Sequence, residues 1–192
     1  MFAANLMTML FRNNVLDLQT SVQLIFMAVT EENITNKLDK EISLFIKRAG
    51  IQKKVLNKKE TISYSDFLSN KMLIILLIRE GVPFSLFNVI QDYTPFSEND
   101  WADILEISTK SLQRYRQTSK QFKSLQSEKI IEMAEVTKAR LEVFEDMEEF
   151  KLWLNVPNFS LGKLAPMELL KDSYGKEMVL SELTRINHGI FV

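Results

Sequence analysis

Apolar residues recur at three- and four-residue intervals along most of this chain of 192 residues, and a single glycine or proline stands where many of the runs stop. That arrangement constrains the fold more than any other feature. Spacing of i, i+3 and i+4 gathers side chains on one stripe of an α-helix, whereas a strand needs strict alternation. With five glycines and four prolines, the chain is poor in the turn residues that many short strands would need. The expected fold class is all-α.

The punctuation is densest in the last third, residues 144–192, which read FEDMEEFKLWLNVPNFSLGKLAPMELLKDSYGKEMVLSELTRINHGIFV. Asp146, with Glu149 three positions on, forms an N-terminal cap, and Phe150, Trp153 and Leu154 then share one face. Pro157 ends that helix, because proline has no amide hydrogen and clashes with the preceding turn. Residues 158–165 read as a loop, and Pro166 opens a second helix with Met167, Leu169 and Leu170. Gly175 reads as the separator from a third helix, whose Val179, Leu183 and Ile186 repeat until Gly189 stops it. Three apolar residues follow: Ile190, Phe191 and Val192.

Taken in this order, the signals resemble the Xre/MbcA/ParS-type antitoxins and their C-terminal toxin-binding domain. The resemblance rests on Val143-Phe144, Trp153-Leu154, Pro157-Asn158, Leu161-Gly162, Pro166, Leu169-Leu170, Gly175, and Leu183 through Arg185-Ile186 to Gly189. Glu145 and Lys163 stand where the family often has glycine, and Asn187 where it often has an acidic residue. Lysine and glutamate resist the positive φ that glycine permits. The resemblance implies a RES-type, NAD-consuming toxin as partner, with the last helix and tail lying over or reaching into the toxin's NAD pocket. Within that picture Arg185, Asn187 and His188 offer polar contacts. Gly189, Ile190, Phe191 and Val192 form a plug ending in a carboxylate that can meet phosphate-holding cations. The alternative is that residues 189–192 fold back on their own core.

Upstream, residues 13–30 place Val15, Leu18, Val22, Ile25, Phe26 and Val29 on one helical face. Residues 33–49 do the same with Ile34, Leu38, Ile42, Phe45 and Ile46, while Lys37, Lys40 and Lys47 form a solvated opposite face. A basic connector with Lys53, Lys54, Lys58 and Lys59 follows, and residues 62–64 read as a short strand. Residues 1–64 thus form a mostly helical extension with no assigned role. From Ser65 on, residues 66–80 read as one helix around a buried MLIILLI run ended by Gly81, and Pro83 opens the next. Ser97 with Asp100 caps a helix that turns Trp101, Ile104 and Leu105 inward. A tight turn at Glu106 and Ile107 leads to Ser108, which caps TKSLQRYRQ. Two short helices joined in this way form a helix-turn-helix.

In the second of these helices Leu112 and Tyr115 pack inward, and Lys110, Gln113, Arg114 and Gln117 share the exposed face. Arginine reads guanine, and glutamine reads adenine, through two hydrogen bonds. Lys110, Arg116, Lys120 and Lys123 can hold phosphates, and no acidic residue interrupts between Ser108 and Ser127. An ordinary basic solvated helix is the competing reading, and the resemblance to the Xre-type repressor domain favours DNA. The expected domains are a helix-turn-helix over residues 65–125 and a toxin-binding domain over 126–192. A linking helix over 126–144 turns Ile130, Ile131, Ala134, Leu141 and Phe144 inward and leaves Lys129, Glu132, Glu135 and Lys138 to solvent. The expected partners are the cognate RES-domain toxin and operator DNA, bound by a homodimer within a hetero-oligomeric complex.

Other functions are disfavoured by what is missing. A formal net charge of −1 argues against wholesale coating of nucleic acid, so DNA contact must be local. With no cysteine and one histidine, His188, neither a thiol nucleophile nor a zinc site can be assembled. Glu142, Glu145, Asp146, Glu148 and Glu149 fit a solvated acidic surface better than a catalytic pair. No enzyme, cofactor or metal site is expected. The longest apolar run, residues 72–78, is too short for a bilayer, and no basic residue precedes the apolar N-terminus as in a signal peptide, so the expected location is the cytoplasm. A second class stays open: a stand-alone helix-turn-helix regulator or partition-associated factor whose C-terminal domain dimerises.

Overall fold

A computed structural model describes residues 35–50, 62–140, 143–144 and 146–190. The helix read at 13–30, the basic connector, Leu141, Glu142, Glu145, Phe191 and Val192 lie outside the described residues. All of the regular structure described is helical: α1 (35–48), α2 (Tyr64–Ser69), α3 (Lys71–Glu80), α4 (Phe84–Tyr93), α5 (Glu98–Ile104), α6 (Thr109–Thr118), α7 (Ser124–Arg140), α8 (Met147–Asn155), a 3-10 turn (Phe159–Leu161), α9 (Pro166–Leu169) and α10 (Ser173–Asn187). Two compact units separate at Lys37/Leu38, a point that α1 crosses, and α2 to α10 belong to the second. Within that unit Leu38, Ile42, Phe45 and Ile46 of α1 are buried, as their spacing predicts.

Two readings upstream of α4 need correction. Residues 62–64 form no strand, because Ser63 caps α2 by accepting from the Asp66 amide (3.1 Å), and the Tyr64 amide donates to Asp39 Oδ1 (2.6 Å). Residues 66–80 are two helices, broken at Asn70. Its amide donates to the Phe67 carbonyl (3.0 Å) and its side chain accepts from the Leu73 amide (3.2 Å), so one asparagine closes α2 and opens α3. The MLIILLI run is buried on one side only, since Met72 and Ile75 are 57% and 41% exposed.

Around α4 to α6 the core is aromatic. Phe87 meets Trp101 edge-on at 5.0 Å, Phe96 meets the same indole at 5.6 Å, and Tyr115 stacks on Phe122 at 4.4 Å. The Phe122 amide donates to the Val82 carbonyl and the Val82 amide to Ser127 Oγ, both at 2.9 Å, which ties the start of α4 to the start of α7.

α7 is the hub, with α3, α4 and α10 all packed on it. Its expected solvent face is the largest error of the sequence reading. Lys129 and Glu132 are only 7% and 6% exposed. Lys129 Nζ donates to the Lys171 carbonyl (3.0 Å) and pairs with Glu132 (3.4 Å). Lys176 of α10 pairs with Glu135 (3.2 Å) and lies 3.9 Å from Glu132, while Lys71 of α3 also reaches Glu135 (2.9 Å). Charges of this kind enter an interface only when opposite charges arrive with them, and here the partner comes from a helix some forty residues later. The helix also ends sooner than expected: the Val143 and Phe144 amides both turn back to the Arg140 carbonyl at 2.9 Å, leaving Phe144 to pack on Phe150 and Trp153.

In the last third, Asp146 caps α8 through the Glu149 amide (2.7 Å), and the helix stops before Pro157 as predicted. The second helix shrinks to the single turn α9, with Pro166 in its first turn. Gly175 is not a separator but the third residue of α10, where a Cβ would come within 2.0 Å of the Leu169 carbonyl oxygen. Glycine is required there because two backbones touch, not because the chain turns.

Candidate functional site

The exposed helix of the helix-turn-helix is set by its caps. Ser97 and Asp100 form a reciprocal capping box at α5, and Ser108 accepts from the Ser111 amide (3.1 Å) at α6. Between them the Ile107 amide reaches the Ala102 carbonyl (3.0 Å), and Glu106 takes φ +54°. Gln126 Nε2 of α7 donates to the Leu105 carbonyl (3.4 Å), holding the turn from behind. Leu112 is buried, and Tyr115 is half-buried on Phe122. Lys110, Gln113, Arg114, Arg116, Gln117, Lys120 and Lys123 are all exposed. The arrangement offers a basic helix face with two side-chain types able to read base edges.

The end of α10 is the second site. The Gly189 amide donates to the Ile186 carbonyl and the Ile190 amide to the Arg185 carbonyl, both at 2.9 Å, with Gly189 at φ +67°. This pair of bonds is a Schellman cap, which turns the chain sharply off the helix axis. Asn187, His188, Gly189 and Ile190 are exposed, whereas Arg185 is half-buried and paired with Glu182 at 3.5 Å. Phe191 and Val192, the outer part of the expected plug, lie outside the described residues. The residues expected to meet DNA and those expected to meet the toxin thus sit on different elements, α6 and the end of α10.

Lys163, one of the residues at a usual glycine position, does adopt the left-handed region at φ +65°, directly after Gly162 at +71°. Asn158 supports it: its carbonyl accepts from the Lys163 amide (2.9 Å) and its amide donates to the Leu164 carbonyl (3.0 Å). Sequence reasoning missed the exposed aromatic residues beside this turn, Phe159 at 70% and Tyr174 at 85% exposure. A readable signal existed for Tyr174, a large aromatic flanked by serine and glycine and off the apolar stripe of its helix.

Among the described residues no group of three or more His, Asp or Glu is placed to hold a metal, and no helix is long and apolar enough to cross a membrane.

Comparison with known proteins agrees with both halves of the geometry. The family described as the antitoxin Xre-like helix-turn-helix domain matches residues 74–135, and that described as the antitoxin Xre/MbcA/ParS C-terminal toxin-binding domain matches residues 141–189. The antitoxin Xre of Photorhabdus laumondii subsp. laumondii is 26% identical over 115 residues, 59% of this chain and 78% of that protein. A chain in the crystal structure of the M. tuberculosis MbcT–MbcA toxin-antitoxin complex is 24% identical with a TM-score of 0.47, over 55% of this chain and 94% of that one. A helix-turn-helix joined to a toxin-binding helical module defines an antitoxin of a toxin-antitoxin system, a protein that acts by binding and not by catalysis. Residues 74–135 and 141–189 of this chain thus carry the two domains of the Xre/MbcA/ParS-type antitoxins.

Proposed function

We propose that this antitoxin silences a RES-type, NAD-consuming toxin by laying the end of α10 and the tail over the toxin's NAD pocket, and that α6 binds operator DNA to repress its own operon. In this reading residues 65–125 serve DNA and 126–192 serve the toxin. The protein works in the cytoplasm as a homodimer within the toxin complex. The toxin type rests on the family resemblance of the C-terminal residues. The observation that carries the plug is the Schellman cap, which leads His188, Gly189 and Ile190 off the helix with Ile190 still 53% exposed. A large apolar side chain left in water at a projecting chain segment gains most from burial in a partner, about 1.5–3 kcal/mol when complete.

The test is co-expression with the adjacent toxin gene, reading cellular NAD. Deleting residues 189–192 should leave a folded protein that binds operator DNA and no longer protects NAD, and Arg185→Glu should also lose protection with the tail in place, at some cost in stability because Glu182 loses its partner. Full protection by the truncated protein overturns the plug. If no toxin co-purifies and only DNA is bound, the stand-alone regulator is the better reading.

A further inference from the structure

Among the described residues, seven of the ten exposed large apolar side chains lie between positions 152 and 190, inside or just beyond the segment matched to a toxin-binding domain. Part of that unpartnered surface frames an open groove of about 460 Å³ between the 3-10 turn and α10. Leu161 forms its buried floor, and Tyr174 and Met178, one helical turn apart, form its wall. Ser160, Ser181, Glu177, Glu182 and Arg185 complete its lining. Since Arg185 is already paired with Glu182 at 3.5 Å, Glu177 leaves the rim in negative excess.

The groove lies on a face of α10 that leads toward its C-terminal cap. Tyr174, Met178, Ser181, Arg185 and His188 follow one another at steps of four, three, four and three residues, which is a single face of α10 about 21 Å long at 1.5 Å per residue. A partner that covers His188 and extends back along this stripe meets the groove at its other end. We infer that the groove between the 3-10 turn and α10 is a second toxin contact, which receives an apolar side chain of the toxin flanked by a lysine or arginine that meets Glu177. This rests on the toxin-binding reading of the C-terminal domain and adds to the tail a separate anchor. Tyrosine and methionine suit the role: one brings a large rigid surface and the other adapts its shape.

The experiment measures binding of the full-length antitoxin to the purified toxin from the adjacent gene by calorimetry. Tyr174→Ala combined with Met178→Ala should weaken binding at least tenfold with the tail intact. Ser181→Trp, which fills the groove without removing a contact, should do likewise, and Glu177→Lys should weaken binding and flatten its salt dependence. Parent-like affinity for the double variant, with an unchanged circular dichroism spectrum, overturns the groove while leaving the tail standing. If the parent itself binds no toxin, the toxin reading falls and the groove with it. A shift from dimer to monomer in light scattering with unchanged toxin affinity makes the occupant a second copy and overturns the proposal.

Discussion

Two backbone positions in the last third show what single residues decide. Gly175 accepts no side chain, because its Cβ would stand 2.0 Å from the Leu169 carbonyl oxygen. Gly175→Ala should cost about 2 kcal/mol, in the range of overpacking a filled site, and a denaturant titration checks it. Lys163 sits at φ +65°, where an L-residue with a Cβ is strained. Lys163→Gly should stabilise the protein by about 1 kcal/mol by the same titration, the typical penalty of that region being roughly 1–2 kcal/mol. The glycine was visible in the sequence but its purpose was misread. Stop signals and close-approach glycines look alike in a string of letters. Gly175 also stands four residues before Val179 on the inward stripe, which is the sign that a helix runs through it.

Helix by helix, caps were the most readable features, since Ser97 with Asp100, Ser108, Asp146 and Gly189 each act over three or four residues. Burial of α7 was not readable, because its cause lies outside the helix. Lys176 arrives from α10 to pair with Glu135 at 3.2 Å and to approach Glu132 at 3.9 Å, and no local pattern announces that. Lys176→Met should therefore destabilise by about 3 kcal/mol, since it strands buried carboxylates, with Lys129 and Lys71 limiting the loss. Adding Glu132→Gln and Glu135→Gln, a triple variant, should recover part of it, as read by thermal or chemical unfolding. On α6 the reading of exposed residues needed only helical period, with Leu112 as the inward reference. Replacing Gln113 and Arg114 by alanine should reduce discrimination of operator from random DNA by about 1–3 kcal/mol per lost bidentate contact, with toxin binding unchanged, as measured by competition titration.

Across the unit from Leu38 to Val192, the all-α class and most of the helices were legible, while the break at Asn70 and the groove beside α10 were not. The groove forms only when the 3-10 turn, positioned by Asn158 and the left-handed pair Gly162 and Lys163, comes to rest on a helix that begins twelve residues after it ends. The same packing bears on inheritance. Were two such chains to exchange their C-terminal ends, a crossover placed after Arg140 would set Lys176 and the Lys171 carbonyl against a foreign α7. An ancestor exchanging ends at that point inherits unmatched buried charge. One exchanging before Ser124 carries Lys129, Glu132 and Glu135 along with Lys176, and gives up only the exposed Lys71 end of the Glu135 pair and the neutral Gln126 and Ser127 contacts to Leu105 and Val82, which are easier to replace. Crossovers among functional hybrids of this family should thus concentrate upstream of α7, which sequencing of selected chimeras can count.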